Sequence, residues 1–182
     1  MKKIIFAALL VLTFNVQANS ITTNANFETQ SNPVGPGVCW PSADCGVWGW
    51  QAFQNGSKLT WNNRSTTTLS GHFAWLKNTV LTTGGYSAFR YKSKIFVPKT
   101  DLTLRYNGAC IMTGSYIRAD FYTSAMKLIS YRTVSTYAVA SYLNLSILNS
   151  TSFVAPVGTS YLQLTIYMPK TGACVIDNIN LF

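Results

Sequence analysis

Acidic residues are scarce in this chain: five Asp and Glu stand against 14 Lys and Arg in 182 residues, with a single histidine. That scarcity bears first on catalysis. A glycosidase needs two carboxylates flanking the bond it breaks. A nucleophile–His–acid triad would have to take His72 as its base, and no G-x-S-x-G elbow is present to carry the nucleophile. There is no C-x-x-C, which removes the usual redox dithiol. With one isolated histidine, and five residues between Cys39 and Cys45, zinc also fits poorly. Past the N-terminus no run stays apolar for 18 residues, so no transmembrane segment is expected. Helical periodicity outside that region never persists beyond about 12 residues.

The N-terminus itself is informative. Lys2 and Lys3 precede an apolar run over residues 4–14, and Val16-Gln17-Ala18 ends on a small residue. This is the plan of a secretory signal peptide. The expected organisation is a signal peptide over 1–18 and a single domain over 19–182, a secreted or periplasmic protein of 164 residues (182 minus 18). Without its two leading lysines that domain has 12 basic residues against Glu28, Asp44, Asp101, Asp120 and Asp177, a net charge of +7. Such a balance attracts anions, or serves solubility alone. Nucleic acid is not an expected partner: only Arg90, Lys92 and Lys94 form a local basic set, and no recognition motif accompanies them.

Export also gives the cysteines a reading. Four of them, Cys39, Cys45, Cys110 and Cys174, in an oxidising compartment favour disulfides. Of the three possible pairings we expect Cys39–Cys45, closing a loop within CWPSADCGVWGW, and Cys110–Cys174, tying distant strands together. Pro33, Gly35, Pro36 and Gly37 mark the approach to that first pair as loop.

Most of the remaining sequence is strand-like. Thr, Tyr, Val, Ile and Phe dominate, punctuated by Gly, Asn, Pro and Ser. The clearest strands are expected over 86–98, 102–110, 115–122, 161–168 and 173–182, with a short helical turn over 124–129. Many short alternating strands imply an all-β sandwich of two antiparallel sheets. Alternation also divides the faces. Ile117, Ala119 and Phe121 share one side of their strand; Tyr116, Arg118, Asp120 and Tyr122 share the other. Leu162, Leu164, Ile166 and Met168 form a core row opposite Tyr161, Gln163, Thr165 and Tyr167. A row mixing tyrosine with charged and amide groups is either an ordinary solvated sheet face or a surface suited to a sugar, whose C–H patches lie on rings while its hydroxyls reach polar groups.

Five ordered motifs carry a resemblance. Asn24-Ala25-Asn26-Phe27-Glu28, Gly49-Trp50, the segment 69–76 with Gly71 before an alternating strand, Phe153-Val154-Ala155-Pro156-Val157-Gly158-Thr159, and Val175-Ile176-Asp177-Asn178-Ile179-Asn180-Leu181 follow the order of motifs in jelly-roll carbohydrate-binding modules. The chain resembles that family over essentially all of 19–182. The resemblance implies a jelly-roll β-sandwich, a buried Trp50, and a structural calcium ion held by Glu28 and Asp177, which take the places of two acids that often ligate calcium in such modules. Trp61 and Trp75 are also expected in the core. Trp40 and Trp48 remain as candidates for a loop rim, where the short disulfide loop would pre-order them, or as a lid on the open end of the core. The family pattern usually lacks this cysteine pair. The function implied is non-catalytic binding of a glycan or polysaccharide, with an anionic polymer as one option, through Trp40, Trp48, Tyr116, Arg118, Tyr122 and Tyr167. Alternatives are an adhesion sandwich that binds another protein and, further off, a polysaccharide lyase using tyrosine, His72 and arginine.

Overall fold

Period-two segments do become strands in the structure, a computed structural model. It describes residues 37–39, 49–66, 69–137 and 147–182, and only the backbone for 37–39, 61–66 and 69–72. Among these residues there are twelve strands and no helix: β1 (Gly37–Cys39), β2 (Trp50–Asn55), β3 (Ser57–Thr66), β4 (Leu69–Val80), β5 (Tyr86–Tyr91), β6 (Ile95–Phe96), β7 (Asp101–Cys110), β8 (Tyr116–Tyr122), β9 (Leu128–Thr136), β10 (Leu148–Val154), β11 (Tyr161–Met168) and β12 (Gly172–Leu181). One sheet runs β1-β3-β4-β12-β7-β10. The other runs β2-β5-β11-β8-β9, and the short β6 pairs with β11 beside β5. Every pairing is antiparallel. The protein is thus an all-β sandwich of two antiparallel sheets.

The core lies between the sheets and follows the alternation. Leu59, Leu76, Leu104, Ile176 and Leu181 face Trp50, Phe89, Ile117, Phe121 and Leu164, all of them fully buried. Trp50 is part of that core, stacked on Phe89 with ring centroids 5.1 Å apart and edge-on to Tyr91 at 5.3 Å. Burying rings and branched chains from both faces is the main stabilising contribution, about 25 cal/mol for each Å2 of apolar surface removed from water.

Several polar groups caught in this interior are satisfied in clusters. Asn78 of β4 is fully buried. Its Nδ2 donates to the carbonyls of Met168 at 2.8 Å and Lys170 at 2.9 Å, and its Oδ1 accepts from Ser87 Oγ at 2.6 Å. One amide therefore braces the two sheets at one end. At another point Tyr106 of β7 shares a 3.0 Å hydrogen bond with Ser135 of β9. Gly108 permits close approach of β7 and β12: its φ is 148°, and a Cβ there would collide with the Val175 carbonyl oxygen.

Cys110 and Cys174 form a disulfide between directly opposed residues of β7 and β12, with Cα atoms 4.1 Å apart. The expected Cys39–Cys45 pair lies outside the described side chains, as does the ring of Trp61. Three expectations need correction. The strand expected over 86–98 is broken at residues 92–94 into β5 and the short β6. Residues 124–129 are not a helical turn: 124–127 lie in the hairpin loop joining β8 to β9, and 128–129 begin β9. Thr123 N donates to the Lys127 carbonyl, and Met126, at φ 62°, donates to Thr123. A connection this short cannot repay the cost of nucleating a helix. Trp75 is not in the core: it sits half-buried on the outer side of β4, because Ala74, Leu76 and Asn78 take the inward positions.

Candidate functional site

The outer face of the β2-β5-β11-β8-β9 sheet collects the polar and aromatic residues that alternation excludes from the core. Strand register sets them in lines. Gln51, Arg90, Thr165, Arg118 and Thr133 lie directly across from one another over all five strands. The next line runs Phe53, Ala88, Tyr167, Tyr116 and Thr136. A third holds Gln163, Asp120 and Tyr131, and a fourth Phe96, Tyr161 and Tyr122. Tyr116, Arg118, Tyr122 and Tyr167, expected from the sequence on one wet face, are therefore brought together. Trp40 and Trp48 lie outside the described residues.

The face is less wet than its composition implies. Asp120 is 4% exposed, Gln163 8% and Thr165 not at all. Each is covered because it is engaged. Gln163 Nε2 donates to the carbonyls of Tyr91 at 2.8 Å and Lys92 at 3.0 Å, which fixes the end of β5 against β11. Thr165 Oγ1 accepts from Arg90 Nε at 3.2 Å. Asp120 is paired with Arg118: Nε is 2.8 Å from Oδ1, an ion pair without hydrogen-bond geometry, and Nη2 donates to Oδ2 at 3.1 Å.

Rings and cations alternate along this surface. The Arg90 guanidinium lies 4.7 Å over the ring of Phe53. That of Arg118 lies 4.7 Å over Tyr131 and 4.8 Å over Tyr167. Lys94 Nζ is 3.9 Å from the centre of Tyr122. Tyr167 stacks on Tyr116 at 5.1 Å and meets Tyr86 at 5.7 Å. The tyrosines are thus packed on one another and on guanidinium groups, not spread as flat plates. Such contacts hold the long arginine side chains in place.

Charge and ionisation follow from this packing. Of the three described acids, Asp101 and Asp177 belong to the other sheet, so Asp120 is the one described carboxylate facing Arg90, Lys94 and Arg118. Partial burial works against the Arg118 cation, but the hydrogen bond and charge of Asp120 outweigh it and hold the guanidinium above its usual value. Burial raises the Tyr167 hydroxyl, only partly opposed by Arg118 and Arg90. Burial and then Asp120 raise Tyr122. The face thus presents neutral phenols and permanent cations at ordinary pH. Phe53, Tyr86, Arg90 and Tyr131 complete it, beyond the residues the alternating rows identified. Their signals were the alternating WQAFQN and YSAFRY, and the tyrosine of LISYRTVST.

The calcium expectation involves other ground. Asp177 lies where the register of β12 against β7 shifts, between Asp177 and Asn180. Its Oδ1 accepts from the Asn178 amide at 2.7 Å and its Oδ2 from Asn178 Nδ2 at 3.3 Å. Glu28 lies outside the described residues, and no cluster of three or more His, Cys, Asp or Glu occurs among those described.

No protein-family model and no curated protein matches the sequence. Solved structures do share its fold. The enzymatically active domain of tailspike protein 4 from bacteriophage CBA120 superposes with a TM-score of 0.54 at 16% identity, over 73% of this chain and 19% of that one. The CBM22-1 xylan-binding domain from Paenibacillus barcinonensis gives 0.51 at 8% identity, over 86% of this chain and 89% of that one. A family 11 carbohydrate-binding module from Clostridium thermocellum, in complex with a β-1,3-1,4-mixed-linked tetrasaccharide, gives 0.51 at 17% identity, over 83% and 97%. The chain spans a fifth of the tailspike domain but nearly the whole of each binding module. With two antiparallel sheets packed face to face, and structures of this kind as neighbours, the chain has the β-sandwich fold of the carbohydrate-binding modules.

Proposed function

We propose that this protein is an exported, non-catalytic glycan-binding module whose ligand lies across the outer face of the β2-β5-β11-β8-β9 sheet. The observation that carries this reading is the clustering of Tyr116, Arg118, Tyr122 and Tyr167 on one sheet face. Half-buried rings supply apolar patches, and phenol hydroxyls and guanidinium edges supply hydrogen bonds already fixed in position. Asp120, the one carboxylate described there, is held by Arg118, whereas hydrolysis of a glycoside calls for two carboxylates at the bond. That supports binding over cleavage. The fold it shares with a xylan-binding domain and with a module in complex with a β-1,3-1,4-mixed-linked tetrasaccharide supports the same ligand class.

Three further elements belong to the proposal. Residues 1–18 direct export. Trp40 and Trp48 extend the surface from a loop closed by Cys39–Cys45. Glu28 and Asp177 hold a structural calcium ion that ties the start of the domain to its last strand. The excess of basic residues favours a polymer that carries negative charge.

Affinity electrophoresis of residues 19–182 through gels containing neutral and acidic polysaccharides tests the central reading. Retardation in at least one polysaccharide, abolished by the free oligosaccharide, is expected. Unchanged mobility in every gel, with capture of a protein partner instead, would replace glycan binding with adhesion.

A further inference from the structure

Two arginines stand in register on the candidate face, one strand to either side of β11, yet they differ chemically. Arg118 is neutralised within its own strand by Asp120. Arg90 has no such partner among the described residues. Its Nε donates to Thr165 Oγ1 at 3.2 Å, and the guanidinium lies over Phe53 at 4.7 Å. No carboxylate among the described residues pairs with it: Asp120 is taken, and Asp101 and Asp177 lie on the other sheet.

The anchor is firm. Thr165 is fully buried, so the atom that holds Nε cannot wander, and the ring of Phe53 supports the guanidinium plane. Arginine carries five N–H donors. With Nε on Thr165, the donors on its two Nη atoms remain for an acceptor from outside, and the guanidinium lies near enough to the Tyr167 hydroxyl to oppose the rise of its pKa. A guanidinium fixed in this way matches a planar carboxylate through two parallel hydrogen bonds, which a lysine ammonium cannot reproduce. Beside it stand Tyr167 and Tyr116, offering ring edges and hydroxyls to the sugar that carries the carboxylate. Most of the cost of ordering the arginine is met before any ligand arrives.

We propose that Arg90 is the specificity-determining residue of this face, and that the ligand is a polysaccharide bearing carboxylates, a polyuronate. The proposal rests on the glycan-binding reading above and narrows it to one chemistry. Arg118 and Asp120 form the fixed platform next to the reader, and Lys94 adds long-range attraction.

The test uses the exported domain with polygalacturonate, alginate and hyaluronate, each also as its methyl ester, together with neutral xylan, neutral β-glucan and phosphatidylserine vesicles. Binding is followed by calorimetry and the fold by melting temperature. At least one polyuronate should bind ten times or more tightly than its own ester, a comparison on the natural protein that needs no variant. Arg90→Gln should bring that acid-to-ester ratio close to one, and Arg90→Lys should restore it only in part, because charge returns without the fork. Equal binding of acid and ester, or preference for a neutral polymer, would overturn this inference and leave glycan binding intact. An unchanged ratio in a folded Arg90→Gln variant would remove Arg90 as the reader. Binding to the vesicles and to no polysaccharide would overturn both readings.

Discussion

Arg118 and Asp120 stand two positions apart on β8 and pair on the same outer face, Nε to Oδ1 at 2.8 Å. Side chains at i and i+2 of a strand point the same way, so the pair needs no help from another strand to form. Tyr131 and Tyr167 then enclose the guanidinium. Asp120→Ala removes the carboxylate and leaves a partly buried cation without compensation. Full burial would make that loss severe; partial exposure of Arg118 reduces it to roughly 1–2 kcal/mol. The expected result in thermal melts is a fall of several degrees for Asp120→Ala and a partial recovery for Asp120→Ala with Arg118→Met. A single variant as stable as the parent would mean that the pair is dispensable.

Tyr116 opens β8 and stacks on Tyr167. Removing a central aromatic anchor commonly costs about 2 kcal/mol of binding, roughly thirtyfold in affinity. Tyr116→Ala should therefore weaken glycan binding by that order while the domain stays folded. Trp40→Ala should weaken it too if the loop reaches the ligand. Normal affinity in both variants would move the site off this face.

Alkaline conditions should unfold the protein through its phenols. Burial raises Tyr106, Tyr122, Tyr137 and Tyr167, and Tyr137 lies well above the usual value near 10, pushed first by burial and then by the charge of Tyr106. A group raised in the folded state stabilises fully below its unfolded value; that contribution disappears as pH rises through the folded value. Melting temperature should hold up to about pH 10 and fall beyond it. The Tyr137 hydroxyl is buried and has no hydrogen-bond partner among the described residues, so Tyr137→Phe deletes a liability. The variant should match or exceed the parent by about 1 kcal/mol and lose less stability at high pH. A clear drop in its melting temperature at neutral pH would contradict this.

Calcium binding, if Glu28 and Asp177 supply it, must appear as ligand-linked stability. A chelator should lower the melting temperature of the parent, added calcium should restore it, and Asp177→Ala should be insensitive to both. Identical curves for the parent under all three conditions, with no calcium found by elemental analysis, would remove the ion from the proposal.

Period two makes the strands and their inner rows legible in the sequence itself. Ile117, Ala119 and Phe121 are buried where alternation puts them, as are Leu162, Leu164, Ile166 and Met168. The outer rows are harder, because alternation says which way a side chain points and not what covers it. Gln163 and Thr165 look solvent-facing in the sequence, but the first clamps the end of β5 and the second anchors Arg90. Both partners are more than 70 residues away along the chain. Arg90 itself reads as one member of a local basic set; only the pairing of β5 with β11 brings it beside Tyr167. Trp75 misleads for a related reason, since its size suggests the core while its parity places it outside.

The Cys110–Cys174 bond also has a mechanical meaning. Its sequence separation is 64, and β8, β9, β10 and β11 all lie within the closed segment, which therefore contains Tyr116, Arg118, Tyr122 and Tyr167. A load applied through the two ends of the domain bypasses that segment at the crosslink. Its contour, roughly 220 Å at the reach of an extended chain, becomes available only after the bond is reduced. In single-molecule stretching, the oxidised domain should extend less than the reduced one by about that length. An anchored polymer-binding protein of this build would yield only in the strands outside the loop, surrendering Arg90 of β5 while the rest of the gripping surface remained looped behind its tether.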